Sequence, residues 1–323
     1  MKAAVLHKFG KAPRYEDFPD PTRGEGEVFV EVKAVALENI DRAMARGSHF
    51  ASRQSLPHLP AIVGSDGIGA LENGQLIGFG GMKPPYGAMA ERVVIPDLHY
   101  VQIPDGVDAA IAATVPSSAL TALFPLKWGA QLQADETVLI NGATGFAGKL
   151  AVQVARLVGA KRIVATGRND EALRSLADLG ADSVIDLKQS DAQLAAAFKR
   201  EAGGAGYGVI LDFLWGHPTE ILIATLVPDT LSFAKGRTRL VQIGEMAGPR
   251  ITLSADALRT SGLTILGGGS GITPEALAEG ASQVWDWIKE GRLKACIECV
   301  PLKDVERAWK RTDVQGRRIV MIP

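Results

Sequence analysis

Thr137-Val-Leu-Ile-Asn-Gly-Ala-Thr-Gly-Phe-Ala-Gly148 contains the main indication of how this chain folds. An apolar run ends at Asn141, small residues follow, and an amphipathic segment extends from Gly148 to Val158. This order predicts a strand, a tight turn and a helix. Such a turn lets the backbone approach a phosphate group, which is attracted by the free N–H groups at the start of the helix.

The turn is therefore a candidate pyrophosphate-binding site. Alanine stands in place of the first glycine of the Gly-x-Gly-x-x-Gly pattern, so the match depends on its position between a strand and a helix. The candidate cofactor-binding residues of the turn are Ala143, Thr144, Gly145, Phe146, Ala147 and Gly148. The alternative interpretation is that the glycines only let the helix pack closely on the sheet.

After Pro116 the sequence alternates between strand-like and helix-like segments. Further strands are predicted at 162–166, 183–186, 208–214, 239–244 and 263–267, with helices at 148–158 and near 171–179. Alternation of this kind predicts parallel strands joined by crossover helices. About six strands form a complete dinucleotide-binding sheet. We therefore expect an α/β protein with a doubly wound parallel sheet.

The regions on either side of the alternating segment have a different pattern. From residue 1 to about 101, short β-rich runs lie between glycines and prolines, which is typical of a small, mostly β domain. Near the end, strands are predicted at 294–301 and 318–322, and we expect them to complete the first domain. The predicted division is 1–115 with 284–323 for the β-rich domain, and 116–283 for the dinucleotide-binding domain.

Composition and charge argue against several classes of function. A chain of 323 residues is longer than a single hydrophobic core usually supports, which predicts two domains. A content of 46% apolar and 22% charged residues is typical of a globular protein. A net charge of −1 argues against nucleic acid as the main partner. Only two cysteines occur and the start lacks a secretory core, so we expect a cytoplasmic protein.

The uncharged stretch 109–126 raises the question of a membrane span. Prolines and hydroxyl residues interrupt it. We therefore expect a buried helix pair between the domains, and no membrane partner.

The end of the second predicted strand indicates which dinucleotide binds. NAD-binding folds place Asp or Glu there, to accept hydrogen bonds from the adenosine ribose. This chain has Gly167, Arg168 and Asn169 instead. A guanidinium can engage a 2′-phosphate with charge-assisted hydrogen bonds, whereas a carboxylate repels it. We therefore expect NADPH; the alternative is that Arg168 is a solvated charge and Asn169 only the N-cap of a helix.

Several motifs occur in an order that resembles a known superfamily. They are Met1-Lys-Ala-Ala-Val, Gly26-Glu-Val-Phe-Val-Glu-Val, Leu37-Glu-Asn-Ile-Asp41, Val63-Gly-Ser-Asp-Gly67, Gly87-Ala-Met-Ala-Glu91 and the stretch ending at Gly148. Together they resemble the medium-chain dehydrogenases/reductases, and among these the zinc-independent quinone oxidoreductases. The resemblance covers essentially the whole chain. It implies a GroES-like catalytic domain, a Rossmann domain, a cleft between them and commonly a homodimer, with 263–267 as a candidate subunit edge.

Zinc ligands are missing from the places that the resemblance indicates. The alcohol dehydrogenases of the superfamily bind catalytic zinc through an early cysteine and a Gly-His-Glu segment. The corresponding stretches here read Leu37-Glu-Asn-Ile-Asp and Gly64-Ser-Asp, so we expect no metal. Cys296 and Cys299 have a metal-like spacing without a second pair. We expect them to be packing residues on opposite faces of a strand.

The resemblance also indicates residues that face the nicotinamide and the substrate. Asn39 and Asp41 are the catalytic candidates. Asn39 can donate a hydrogen bond to a substrate carbonyl, unless it is a turn residue bonded to its own backbone, and Asp41 is expected to order the loop. Tyr86 is a candidate lining residue, and Asp66 is expected to be structural.

Further cofactor-binding candidates follow from the same resemblance. They are Thr121, Ile243, Gly244, Gly268, Gly269 and Ser270. For Thr121 the alternative is a hydroxyl that bonds back to its own helix, and for the glycines it is a purely structural turn. Arg318 occurs where the family often has lysine, and we expect a surface charge.

A nicotinamide enzyme without zinc can still reduce acceptors that are already electrophilic. We therefore predict an NADPH-dependent oxidoreductase that transfers hydride to a quinone or an activated alkene (enone). Two alternatives are kept: a non-catalytic NADPH-binding protein of crystallin-like or regulatory type, and a zinc alcohol dehydrogenase. The choice among quinone, alkenal and enoyl thioester stays open because loops shape the substrate pocket.

Overall fold

The computed structural model describes residues 1–228, 230, 236–314 and 316–323. Within these residues the chain forms two compact units, Met1–Pro116 with Cys296–Pro323, and Ser117–Ala295. The predicted division at residue 284 falls inside the helix Pro274–Lys289. Val284 and Trp287 of this helix are buried in the core of the second unit, which explains why the segment up to Ala295 belongs to that unit.

The described residues form the following elements. The strands are β1 Lys2–Leu6, β2 Arg14–Asp17, β3 Glu27–Ala36, β4 Ala61–Ile62, β5 Asp66–Ala70, β6 Leu76–Gly80, β7 Arg92–Pro96, β8 Tyr100–Gln102, β9 Thr137–Asn141, β10 Arg162–Gly167, β11 Ser183–Asp186, β12 Val209–Asp212, β13 Thr238–Gln242, β14 Leu263–Gly267, β15 Ile297–Pro301 and β16 Arg318–Ile322. The α-helices are α1 Asn39–Arg46, α2 Ser52–Ser55, α3 Ala109–Ala112, α4 Val115–Phe124, α5 Phe146–Leu157, α6 Asp170–Ser175, α7 Asp191–Ala202, α8 Gly216–Leu226, α9 Ala255–Thr260, α10 Pro274–Lys289 and α11 Val305–Lys310.

The second unit is built on a parallel sheet. Among the described residues its strands lie in the order β11-β10-β9-β12-β13-β14, and neighbouring strands are parallel. Val138, Leu139 and Ile140 of β9 are completely buried, as expected for a strand that is covered on both faces. This is the strand order of the Rossmann fold. The predicted α/β class and doubly wound parallel sheet are confirmed.

The strand order of this sheet reverses between β9 and β12. Strands β10 and β11 follow on one side of β9, while β12, β13 and β14 follow on the other. In open α/β sheets, ligands bind outside the carboxyl ends of the strands beside such a switch point. Those ends are the turn after Asn141 and the segment after Asp212.

The stretch Ala109–Gly129 is long and apolar enough to cross a membrane by length and composition alone. It consists of α3, α4 and a π-helical turn at Pro125–Gly129. Within the protein, 61% of its apolar window is buried, and Leu123 and Leu126 belong to the core of the second unit. This burial supports our interpretation of the stretch as core helices.

The first unit is mostly β structure. In the part of the chain that the structure describes, its larger sheet has the order β15-β16-β3-β5-β6-β8, with β7 also paired to β3, and its smaller sheet has the order β2-β1-β4. Strand β16 pairs antiparallel with β3, with Val320 opposite Ala36, and β15 is parallel to β16. The last strands of the chain therefore belong to the sheet of the first unit.

Candidate functional site

Most of the candidate cofactor-binding residues lie at one edge of the parallel sheet. They form four segments that follow or end four strands: 143–148 after β9, 167–169 at the end of β10, 243–244 after β13, and 268–270 after β14. Because parallel strands have their carboxyl ends at the same edge, the structure brings these segments to one side of the sheet. Thr121 lies instead on α4, where it is exposed and its hydroxyl donates to the carbonyl of Ser118 at 2.8 Å.

Two glycines of the turn are required by packing. Gly142 has a φ of 94°, and a Cβ atom there would lie 2.8 Å from the side chain of Leu214. A Cβ atom at Gly148 would lie 2.4 Å from the carbonyl oxygen of Gly142. Gly142 therefore supplies the tight turn, which explains why the next position tolerates alanine.

Gly145 differs because nothing in the described protein requires a glycine there. It is exposed, its φ is −75°, and a Cβ atom would meet only the carbonyl oxygen of Gly142, at 3.9 Å. Gly145 is the N-cap of α5, so the N–H groups of Ala147 and Gly148 have no carbonyl partner within the helix. Open space beside a glycine and unused N–H groups at a helix start together fit a pyrophosphate.

A buried polar network joins the ends of three neighbouring strands to the turn. Asn141, Thr166, Asp212 and Thr219 are completely buried. The carboxylate of Asp212 accepts hydrogen bonds from Asn141 Nδ2 at 3.0 Å and from Thr219 Oγ1 at 2.7 Å. Thr166 Oγ1 donates to Asn141 Oδ1 at 2.8 Å and accepts the N–H of Gly142 at 2.9 Å. The network thus fixes the first residue of the turn.

Asp212 also orders the segment after β12. Its Oδ1 accepts the N–H groups of Leu214 at 3.0 Å and of Trp215 at 3.1 Å. Trp215 has a φ of 53°, a strained backbone conformation for a residue other than glycine. The network was not predicted from the sequence. A usable signal was the polar residue at or near the end of each apolar strand, Asn141, Thr166 and Asp212.

Arg168 is an exposed cation at the end of β10, and it forms no ion pair within the described residues. A second cation follows the neighbouring strand β11, because Lys188 comes just after Asp186. Lys188 is already paired with Asp170 at 2.6 Å and lies 3.7 Å from Asp186. Of these two cations, Arg168 is the one available to an anionic ligand.

The residues on either side of Arg168 have structural contacts. Gly167 is buried, and a Cβ atom there would lie 2.2 Å from the side chain of Thr144, so the close approach requires glycine. Asn169 is the N-cap of α6, where its side chain accepts the N–H of Ala172 at 2.7 Å. Both residues shape this end of the strand.

The segments after β13 and β14 differ in the space around their glycines. Ile243 and Gly244 donate their N–H groups to the carbonyl of Asp212, at 2.8 and 3.1 Å, and a Cβ atom at Gly244 would lie 2.6 Å from the carbonyl oxygen of Phe213. Gly269 is exposed, and a Cβ atom there would have no neighbour within 4 Å among the described residues. Gly244 thus serves packing, whereas Gly269 leaves open space.

The first unit contains a cavity of about 460 Å³. Asp41 and Tyr86 both line it, so the structure brings these two predicted residues together. The other lining residues include the apolar Met44, Leu56, Ile62 and Met82 and the polar Gln54 and Ser65. Asn39 is not among the lining residues of this cavity; it lies exposed at the start of α1. The hydroxyl of Tyr86 donates to the carbonyl of Asp20 at 3.3 Å.

Asp41 is held by the start of α1. Glu38 is the N-cap of this helix, and its side chain accepts the N–H of Asp41, while Asp41 Oδ2 accepts the N–H of Glu38 at 2.8 Å. The side chain of Asp41 is deeply buried, with the residue only 5% exposed. Asp41 thereby orders the loop that leads into α1.

Acidic groups surround Asp41. Burial, with the nearby charges of Glu38 and Asp66, raises the pKa of Asp41 to about 7. Burial also raises the pKa of Glu38. The pKa of Asp66 is raised because nearby protein atoms displace part of the water around its carboxylate, although the residue keeps access to solvent. Arg318 lies 3.6 Å from Glu38 and is only 13% exposed, so the prediction of a surface charge is wrong. Arg318 is withdrawn from solvent because it pairs with Glu38 and donates to the carbonyl of Leu37.

Across the described residues, no group of three or more His, Cys, Asp and Glu side chains is placed to hold a metal ion. Cys296 and Cys299 are both exposed, so the prediction that they are packing residues is wrong. Cys296 precedes β15, and Cys299 lies on β15 with its side chain open to solvent.

The chain matches a known family model and resembles curated proteins over its full length. The model of the zinc-binding dehydrogenases matches residues 147–290. An NAD-dependent alcohol dehydrogenase of Sulfolobus acidocaldarius is 25% identical, with 100% of both chains covered. A quinone oxidoreductase of Pseudomonas aeruginosa is 27% identical over 94% of this chain and 92% of the relative.

A solved structure shares the fold of the whole chain. It is the quinone oxidoreductase from Thermus thermophilus, whose crystal structures include its complex with NADPH. It is 29% identical to this chain, with a TM-score of 0.78 and 100% of both chains covered.

Proposed function

The chain belongs to the medium-chain dehydrogenase/reductase superfamily, in its quinone oxidoreductase branch, and on that premise we propose a zinc-independent oxidoreductase that transfers hydride from NADPH to a quinone or an activated alkene. The observation that carries the proposal is the edge of the parallel sheet. There, the open space at Gly145 lies at the start of a helix, and Arg168, which has no ion pair among the described residues, follows the next strand.

In the proposal, different residues of this edge bind different parts of the cofactor. The turn Ala143–Gly148 would hold the pyrophosphate, and Arg168 would bind the 2′-phosphate that distinguishes NADPH from NADH. Gly167 and Asn169 would shape the pocket for the adenosine ribose. Thr121, Ile243, Gly244, Gly268, Gly269 and Ser270 would lie along the nicotinamide half. When bound, the nicotinamide supplies the hydride.

The cavity of the first unit is the proposed substrate site. Its volume of about 460 Å³ suits a small molecule, and its apolar lining suits the carbon skeleton of a quinone or an enone. Tyr86, which lines the cavity, would contact the substrate. Asn39 does not line it, so its hydrogen bond to the substrate carbonyl rests on the family resemblance alone. Such acceptors are electrophilic without a metal, so the proposal includes no zinc.

Two further expectations stay proposals. A homodimer would form through the exposed edge of β14, which lies at the end of the sheet order among the described residues. A cytoplasmic location is expected from the two cysteines. Light scattering on the eluted protein tests the first, and localisation of the tagged chain tests the second.

Steady-state oxidation of NADPH tests the proposed function directly. The purified chain is mixed with NADPH and a panel of acceptors that includes benzoquinone, methyl vinyl ketone and a simple aldehyde, and the absorbance of the reduced nicotinamide is followed. We expect turnover with the quinone or the enone. Tight NADPH binding without turnover would support the non-catalytic alternative, and alcohol oxidation that requires added zinc would support a zinc alcohol dehydrogenase.

A further inference from the structure

Reduction of a quinone or an enone needs a proton as well as a hydride, and the cavity of the first unit contains a candidate source. The inference rests on the proposed function, because it assumes that the substrate binds in this cavity. Asp41 is the carboxylic acid among the lining residues of the cavity. Tyr86 also lines it, but the Tyr86 hydroxyl proton is directed to the carbonyl of Asp20.

The two oxygens of the Asp41 carboxyl have different surroundings. Oδ2 accepts the N–H of Glu38 at 2.8 Å. No donor from the described residues reaches Oδ1, and Oδ1 is not among the buried side-chain atoms that lack a partner, so this oxygen keeps access to solvent although the residue is only 5% exposed. Asp41 lines the cavity, and an oxygen with access to it can pass a proton to a bound molecule or take one from water, whereas Oδ2 is anchored to the backbone. The proton is then held at the oxygen that is not anchored to the backbone.

The charges around Asp41 favour the protonated form. Glu38 lies at the N-cap of the same helix and Asp66 at the start of β5, and both carboxylates oppose ionisation of Asp41. Arg318 from β16 and Arg42 from α1 act in the opposite direction. Burial outweighs both the hydrogen bond from the N–H of Glu38 and the arginine charges, so the pKa of Asp41 reaches about 7. At neutral pH the group can therefore both hold and release a proton.

We propose that Asp41 is the general acid of the reduction and delivers its proton from Oδ1 to the substrate. Hydride addition to the β-carbon of an enone forms a C–H bond and moves the alkene electron pair onto the α-carbon and carbonyl oxygen. The O–H bond of Asp41 then breaks, and a new C–H bond forms at the α-carbon; with a quinone, an O–H bond forms instead. The cofactor is oxidised, the substrate is reduced, and the Asp41 carboxylate regains a proton from water.

The pH dependence of kcat tests this role. For the wild-type chain with saturating NADPH and enone, we expect kcat to be constant in acid and to fall about tenfold per pH unit above about pH 7, because the required acid is lost. Asp41→Asn keeps an oxygen that can accept the N–H of Glu38, and kcat should fall about 100-fold at low pH and lose this dependence. NADPH affinity should stay unchanged.

Two variants serve as controls. Asp66→Asn removes a charge that raises the pKa of Asp41, so the fall in kcat should move to lower pH while the activity in acid is kept. Asp105→Asn alters an exposed carboxyl without a hydrogen-bond partner among the described residues, and its profile should match the wild type. Infrared difference spectra of wild type minus Asp41→Asn add a readout without turnover: a protonated carboxyl band present in acid and lost in alkali.

The outcomes separate the inference from the function on which it rests. An active wild type whose kcat does not change between about pH 6 and pH 8.5, or an Asp41→Asn variant that keeps the wild-type profile, overturns the role of Asp41 alone. Loss of the pH dependence in Asp66→Asn would make Asp66 the donor instead and also overturns it. A wild type that binds NADPH and reduces no acceptor at any pH overturns the proposed function, and the role of Asp41 with it.

Discussion

The side-chain amide of Asn141 donates a 3.0 Å hydrogen bond to the carboxylate of Asp212, between neighbouring strands, and both side chains are completely buried. Asp212 also accepts from Thr219, Leu214 and Trp215. Asp212→Ala would leave these donors without a partner, so the free energy of unfolding should fall by about 3 kcal/mol. Urea denaturation measures the change. A loss below about 0.5 kcal/mol would show that the network does not hold this edge of the sheet.

Substitution by alanine should have different effects at two glycines of the turn Ala143–Gly148. Gly145→Ala adds a methyl group into open space, so stability should be unchanged while the dissociation constant of NADPH rises about tenfold. Gly148→Ala places a methyl group against the carbonyl of Gly142 and should destabilise the protein by about 2 kcal/mol or more. Gly204→Ala, at another exposed glycine with open space, is the control and should change neither quantity. Thermal melts measure the stability, and NADPH titration measures the dissociation constant. Unchanged NADPH affinity in Gly145→Ala would show that the pyrophosphate does not bind at this turn.

Arg168 should distinguish the two nicotinamide dinucleotides. Arg168→Ala removes the proposed partner of the 2′-phosphate, so NADPH should bind about 10- to 100-fold more weakly while NADH is little affected. Lys161→Ala removes another exposed positive charge of the same unit and controls for net charge. Fluorescence titration with each dinucleotide gives the dissociation constants. An equal loss of affinity for NADPH and NADH in Arg168→Ala would contradict the proposal that Arg168 binds the 2′-phosphate.

The raised pKa of Asp41 should also appear in the stability of the protein. The pKa is about 7 in the folded chain and about 4 in the unfolded chain, so the folded state binds more protons between these values. The free energy of unfolding should therefore fall as the pH rises through this range, by on the order of 3 kcal/mol from about pH 5 to pH 8. In Asp41→Asn this fall should be smaller by that amount. Urea denaturation at several pH values gives the free energy of unfolding for both proteins. If it depends on pH in the same way in the wild type and in Asp41→Asn, then Asp41 is already ionised in the folded protein across this pH range.

Removal of metal ions should leave the activity unchanged. The proposal includes no zinc, so dialysis against a chelator should alter kcat by less than about twofold, and purified protein should contain no stoichiometric zinc. Cys296→Ser and Cys299→Ser, which change the two exposed thiols, should have no effect either. Activity that disappears on dialysis and returns with zinc alone would point to the alcohol dehydrogenase alternative.

The helices and strands of the parallel sheet could be predicted from the sequence, whereas the contacts between side chains could not. The parallel sheet could be predicted because strands such as Val138–Ile140 are buried runs of apolar residues between helical patterns. The polar partners Asn141 and Asp212 lie far apart in the chain, and only the strand order makes them neighbours. The exposure of Cys299 likewise depends on which face of β15 other elements cover, which a local pattern does not reveal.

The candidate site was predictable to a similar extent. The glycine pattern located the turn, but it did not distinguish Gly148, which packing requires, from Gly145, which packing leaves open. The family resemblance indicated both Asn39 and Asp41 as catalytic candidates, with Asp41 expected to order the loop. A helix that begins between Glu38 and Asp41 directs the two side chains differently, with Asp41 at the cavity and Asn39 exposed.

Strand β16 pairs with β3, although residues 117–295 separate the two halves of the first unit in the chain. A ribosome therefore completes the second unit before it releases the strand that fills the gap beside Ala36. We expect the second unit to fold while the chain is still being made, and the first unit to wait for its final residues. A nascent chain stalled shortly before Arg318 would accordingly present a protease-resistant second unit attached to a first unit that is still open to cleavage.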